Sequence, residues 1–270
     1  MKTNFTRIVA ILFAVVIIYA SCKKVANKPA LVQTTDYASL SSNIALNLVT
    51  SLNGKYGGTN IKDGIKMPSS LSPVHKSLVL YSPVPLCGYT IDTAFSTSSI
   101  AGDTAKTSTG NFNFIYTCTT NSVNGYIVKD SLVNTEAGTT FSNMFMVAQH
   151  YTVVALDQTF KLFSINGSIQ TAACKHVLNA TVVTSYHNLV GFYTLNNLQA
   201  NITSGVLDVT SGVATFNMTK TDMDTADSPT PASTINTGKI EFLGNHSAKL
   251  TIDPSHLYIV NLLTGTVTAI

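Results

Sequence analysis

The chain has no tryptophan, only two glutamates (Glu136 and Glu241) and a single arginine, Arg7. Each scarcity excludes something. Nucleic-acid and nucleotide sites are built on arginine, because its planar fork binds phosphate through two hydrogen bonds at once. Past Arg7 the chain has none, and its net charge of +3 includes Lys2 and Arg7. A nearly neutral surface without guanidinium groups lacks the footprint of a nucleic-acid binder. The absence of tryptophan removes the strongest stacking platform for sugars, although eleven tyrosines remain. Two glutamates far apart in sequence argue against a paired-carboxylate glycosidase. Charge is scarce altogether, at 11% of residues against 45% hydrophobic. That balance, with abundant Thr, Ser, Asn and Gly, fits an exported β-protein better than a cytosolic enzyme.

Long apolar runs are equally scarce. One stands out, Ile8 to Ala20, preceded by Lys2 and Arg7 and followed by Tyr19-Ala20-Ser21-Cys22. A positive n-region, a short apolar core and small residues before a cysteine form a secretion signal, and the run is short of the roughly 20 apolar residues of a membrane-spanning helix. Tyr19-Ala20-Ser21-Cys22 resembles the lipobox of bacterial lipoproteins, although Tyr19 stands where leucine is usual. The resemblance implies cleavage before Cys22, lipid on its sulfur, and a membrane tether of several acyl chains. Residues 1–21 are then the signal peptide and 22–36 a flexible tether. Lys23, rather than an aspartate, follows the cysteine, which favours the outer membrane facing the periplasm; surface exposure stays open.

With Cys22 assigned to lipid, Cys87, Cys118 and Cys174 remain. Export permits disulfides. Cys87 and Cys118 bracket one coherent segment and are the preferred pair; a Cys118–Cys174 bridge, or three reduced thiols, are the alternatives. The tether ends at a helical pattern. Leu40, Ile44, Leu48 and Leu52 recur every fourth residue, Asp36 stands at the N-cap and Asn53-Gly54 at the C-cap, which predicts a helix over 37–53. Residues 54–85 read as an irregular connection.

From about residue 86 the chain reads as strands. Phe112, Phe114, Tyr116 and Cys118 alternate along one face, and β-branched and aromatic runs follow to the C-terminus. Asn124-Gly125, Asp157-Gln158 and Asn166-Gly167 read as turns. So do Thr109-Gly110, Ser204-Gly205, Ser211-Gly212, Thr237-Gly238 and Thr264-Gly265, and Thr221–Thr237 reads as a loop. The expectation is a mainly β fold, an antiparallel meander as a sandwich or one long curled sheet, with the helix packed on it and residues 37–270 as a single domain. The segments SSNIALNLVTSLNGKYGG, CGYTIDT and TGKIEFLGNHSAKLTI resemble those of uncharacterised lipoproteins of environmental gram-negative bacteria. That resemblance implies architecture and location, and no activity.

Chemistry-bearing motifs are sparse. No two histidines lie within five positions, so no HxH or HExxH spacing exists, although distant strands could bring His176 and His187 together. Asp222, Asp224 and Asp227 alternate as in a calcium loop, but Ala226 and Asp227 break the EF-hand pattern, leaving them weak calcium candidates. There is no GxSxG elbow. Cys174 and His176, two apart on a strand, share a face without further thiol-protease features. No catalytic residue and no cofactor is assigned. Three function classes remain, in this order: a non-enzymatic envelope protein that is structural or binds a protein or glycan; a carrier of an apolar ligand or lipid; and a hydrolase with a dispersed site.

Overall fold

The computed structural model describes residues 36–55, 57–65, 87–179, 182–203, 205–224 and 228–270. Residues 1–35, where the sequence reading puts a signal peptide, a lipobox and nearly all of a tether, lie outside the described residues. One helix and one antiparallel sheet of eleven strands make up the architecture, the strands adjacent in chain order throughout.

Helix α1 spans Tyr37–Leu52. Asp36 caps it, its Oδ1 accepting from the amides of Ala38 and Ser39, both at 3.1 Å. Leu40, Ile44, Leu48 and Leu52 are buried, so the four-residue period does face the core. After the helix, Gly54, Gly57 and Gly58 take positive φ and turn the chain into a short 3-10 segment, Ile61–Asp63.

The strands are β1 (Thr90–Ala101), β2 (Thr104–Thr119), β3 (Ser122–Ala137), β4 (Phe141–Ala155), β5 (Leu162–Asn179), β6 (Val182–Thr203), β7 (Val206–Asp224), β8 (Ser228–Gly244), β9 (Ser247–Ile252), β10 (His256–Asn261) and β11 (Val267–Ala269). The sheet curls around α1. Ser42 donates to the carbonyl of Gly265 in the β10–β11 turn, whereas Asn47 meets Thr171 of β5 and Tyr193 of β6. Elements from the middle of the sheet and from its β11 edge thus touch helix residues within about 8 Å of one another along the axis. Side chains alternate between the two faces. The inner set, including Phe112, Tyr126, Val147, Tyr193, Phe216 and Leu250, packs on the helix or on the segment after it.

The strands are longer than the turn signals suggest. Asn124-Gly125 lies within β3, and the β2–β3 turn falls at Thr120 and Asn121, both at positive φ. Asn166-Gly167 sits in a β-bulge of β5, where a Cβ on Gly167 would come within 2.3 Å of the His150 carbonyl. Thr109-Gly110, Ser211-Gly212 and Thr237-Gly238 are also inside strands; Gly205, at positive φ between β6 and β7, and Thr264-Gly265 mark hairpin turns, while Ser204 lies outside the described residues. The described part of Thr221–Thr237 is strand rather than loop: β7 runs to Asp224 and β8 starts at Ser228. Pro229 and Pro231 are tolerated there because β9 pairs with β8 only from Gly238 onward, leaving that part of β8 an edge.

Cys87 and Cys118 form a disulfide with Cα atoms 5.6 Å apart. Flanking backbone bonds, Gly88 N to Tyr116 O and Tyr116 N to Tyr89 O, hold the same junction. Cys118, next to the end of β2, is exposed, whereas Phe112, Phe114 and Tyr116 are buried; the register shift beside it leaves Asn124 of β3 without a partner on β2.

Candidate functional site

The helix and the segment after it cover only part of the inner face. Beneath them lies a polar cluster in an otherwise apolar interior. Thr59 presents its amide to Asp130 Oδ2 (3.0 Å) and Gln149 Oε1 (2.8 Å), and its hydroxyl to Asp130 Oδ2 (3.1 Å). Gln149 Nε2 donates to the Ser51 carbonyl at the helix end. Tyr193 donates to the Ile44 carbonyl and Asn47 Oδ1, and Thr171 donates to the same oxygen. Asp130 and Gln149 are direct partners across β3 and β4, so one pair of side chains on the sheet clamps both the helix end and Thr59. Asp130 Oδ1 and the Tyr126 hydroxyl have no hydrogen-bond partner among the described residues. Desolvation pushes the Asp130 carboxyl up to about 7, against the pull of the hydrogen bonds from Thr59 and Gln149. No sequence motif signals this cluster, because Thr59, Asp130 and Gln149 are far apart in the chain and individually ordinary.

Beyond the covered part, β1 to β8 continue and their inner face is open. Two cross-strand rows line it. The first runs Ser108, Asn134, Phe145, Ala173, Leu189, Lys220 and Thr234; the second runs Lys106, Glu136, Asn143, Lys175, His187, Asp222 and Ala232. From Lys106 to Asp222 the second row crosses five inter-strand spacings, about 24 Å. At its β1–β4 end lies a shallow depression of about 340 Å³, with Thr97, Ser99, Lys106, Asn134, Glu136 and Phe145 among its lining. Lys106 and Glu136 are ion-paired at 2.8 Å, and Ser108 donates to Asn134 at 2.6 Å. At the other end Asp222 bridges Lys220 (2.6 Å) and His187 (2.9 Å). Burial, which would raise the Asp222 carboxyl, is outweighed by hydrogen bonds from Lys220 and His187 and by their charge, and its pKa falls.

Of the calcium candidates, Asp222 and Asp224 share the inner face of β7, with Asp222 ion-paired; Asp227 lies outside the described residues. His176 and His187 are not brought together: His187 pairs with Lys175 on the inner face, so His176 points to the outer one. Among the described residues no three His, Cys, Asp or Glu side chains converge to hold a metal ion. Cys174 and His176 do share a face, with Sγ 3.5 Å from Nε2. No helix among the described residues is long and apolar enough to cross a membrane. No protein-family model matches the chain, and neither does any curated protein or solved structure.

Proposed function

We propose that this chain is a non-catalytic binding lipoprotein of the cell envelope, anchored through lipid on Cys22, that holds an extended glycan on the open inner face of its sheet. The observation that carries the reading is the second cross-strand row. It sets amide, imidazole and charged groups along about 24 Å of the inner face, with Ser108, Phe145 and Leu189 of the first row beside it. A long, shallow, polar trough with an aromatic side chain suits a polymer of hydroxyl groups more than a small apolar molecule.

Two features weigh against the alternatives. The space between helix and sheet is filled by Ile44, Leu48, Leu52, Ile61 and Phe163, all essentially without exposure, which disfavours an enclosed lipid there. Asp130, the carboxyl most displaced toward neutrality, is engaged in clamping Thr59 under the helix end, which disfavours a hydrolytic role for it. The lipobox and the strand-rich, arginine-poor composition support the location.

The test is binding of the full chain in detergent to soluble peptidoglycan strands and to neutral oligosaccharides of several linkages. At least one should bind, and Lys106→Ala and Asn134→Ala should each weaken it about tenfold without moving the melting temperature. Binding to none of them, or binding indifferent to both substitutions, would overturn the reading.

A further inference from the structure

The outer face of β4 and β5 gathers soft donor atoms in one cross-strand neighbourhood. Cys174 and His176 alternate along β5 and both point outward, with Sγ and Nε2 3.5 Å apart. Met144 is the register partner of Cys174 on β4, and Met146 is the partner of Ala172, one diagonal away. Side chains directly opposite in an antiparallel pair have Cβ atoms about 4.5–5.5 Å apart and diagonal neighbours about 7–8 Å, within reach of methionine. On the other flank, the His176 ring stacks on Tyr186, its register partner on β6, with centroids 4.9 Å apart and an interplanar angle of 22°. That stack fixes the imidazole plane while Nε2 faces the sulfur.

We propose that Cys174, His176 and Met144 form a binding site for one soft monovalent metal ion, Cu(I), with the Met146 thioether as a further donor. The bite matches. With metal–sulfur and metal–nitrogen bonds of about 2.3 and 2.0 Å, two donors on one metal stand roughly 3.5 Å apart at the tetrahedral angle and about 3.7 Å at the trigonal angle. The donor set selects the ion. Thiolate and thioether are soft ligands that prefer Cu(I). A divalent ion such as zinc would need further imidazole, thiolate or carboxylate groups, and no third His, Cys, Asp or Glu among the described residues joins this pair.

Binding is ligand exchange without electron transfer. The Cys174 thiol loses its proton to solvent, its sulfur forms the bond to Cu(I), and a weak solvent ligand leaves the metal. A thiol–imidazole hydrogen bond alone accounts for the Cys174–His176 distance, but it gives no role to the methionine opposite. Dependence on Met144 therefore separates the two.

The experiment uses the full chain in detergent under argon, without reductant, with free Cu(I) set by a competing chelator. The readout is the rate of iodoacetamide alkylation at Cys174, followed on its own peptide by mass spectrometry. This keeps Cys22 and the Cys87–Cys118 disulfide out of the signal. One equivalent of Cu(I) should slow alkylation at least tenfold, and Zn²⁺ should not. Met144→Leu, which conserves volume, and His176→Asn should each raise the Cu(I) concentration needed for protection by about tenfold or more. Alkylation unaffected by Cu(I), equal protection by Zn²⁺, or an unchanged Cu(I) dependence in Met144→Leu would overturn the proposal.

Discussion

Asp130 shows how a single residue sets the pH response of the fold. Its carboxyl rises to about 7 in the folded chain because it is buried beneath Thr59, and it returns to an ordinary value near 3.8 when unfolded. Between those values the folded state holds the proton and the unfolded state has lost it. Stability from this group is therefore complete below about pH 4 and is lost as pH rises through 7. About three pKa units on a buried group correspond to roughly 4 kcal/mol. Asp130→Asn should keep an acceptor for Thr59 but remove the titration. The difference in unfolding free energy between this variant and the parent chain, from urea melts at pH 5 and pH 8, should shift by a few kcal/mol in favour of the variant at pH 8. Equal differences at both pH values would show that Asp130 does not titrate in this range. Gly58 belongs to the same cluster. Its φ is +83°, and a Cβ there would come within 2.6 Å of Gln149 Oε1 and 3.2 Å of Asp130 Oδ2. Gly58→Ala should cost roughly 2–3 kcal/mol through left-handed strain and disturbed hydrogen bonds. An unchanged denaturation midpoint would show that the clamp tolerates a side chain.

The helix was the most legible element because its period, N-cap and C-cap are all local. Asp36, the stripe from Leu40 to Leu52, and Gly54 each specify their own role. Leu48 is fully buried against the sheet, so Leu48→Ala should destabilise the chain by roughly 2–5 kcal/mol. Denaturant melts measure this, and a loss below about 1 kcal/mol would mean the helix end can collapse onto the cavity. The strands were legible in kind and misjudged in length. Gly110, Gly167, Gly212 and Gly238 read as turns from sequence, yet each marks a close backbone approach or a bulge inside a strand, near the carbonyls of Ser131, His150, Asn197 and Thr251 respectively. Turn and bulge use the same residue for the same reason, absence of a Cβ, and only the partner strand distinguishes them. The Cys87–Cys118 pairing followed from the segment it brackets. The Asp130 cluster and the two inner-face rows were invisible because both arise from register across strands, which no local pattern encodes.

At the scale of the whole molecule, one sheet does two jobs. Its curl around α1 builds the core, and its continuation past the helix leaves polar groups on the same face in the open. This division suits a tethered binder whose anchor and binding surface are separate. On the lipoprotein reading proposed above, the anchor resides in one atom, the Cys22 sulfur, and the folded part contributes nothing to membrane retention. A single acyl chain binds membranes only marginally, whereas several make attachment effectively permanent, at about 0.8 kcal/mol for each buried CH₂. Cys22→Ser should therefore abolish radiolabelled palmitate incorporation and move the chain from the membrane pellet to the soluble fraction. The thermal transition of the folded part should be unchanged, because Cys22 lies well before the start of α1 at Tyr37. Continued labelling of Cys22→Ser would refute lipidation at this cysteine. Loss of label with retention in the membrane would show instead that the folded part, by its exposed Ile235 and Phe192 or another surface, holds the membrane on its own.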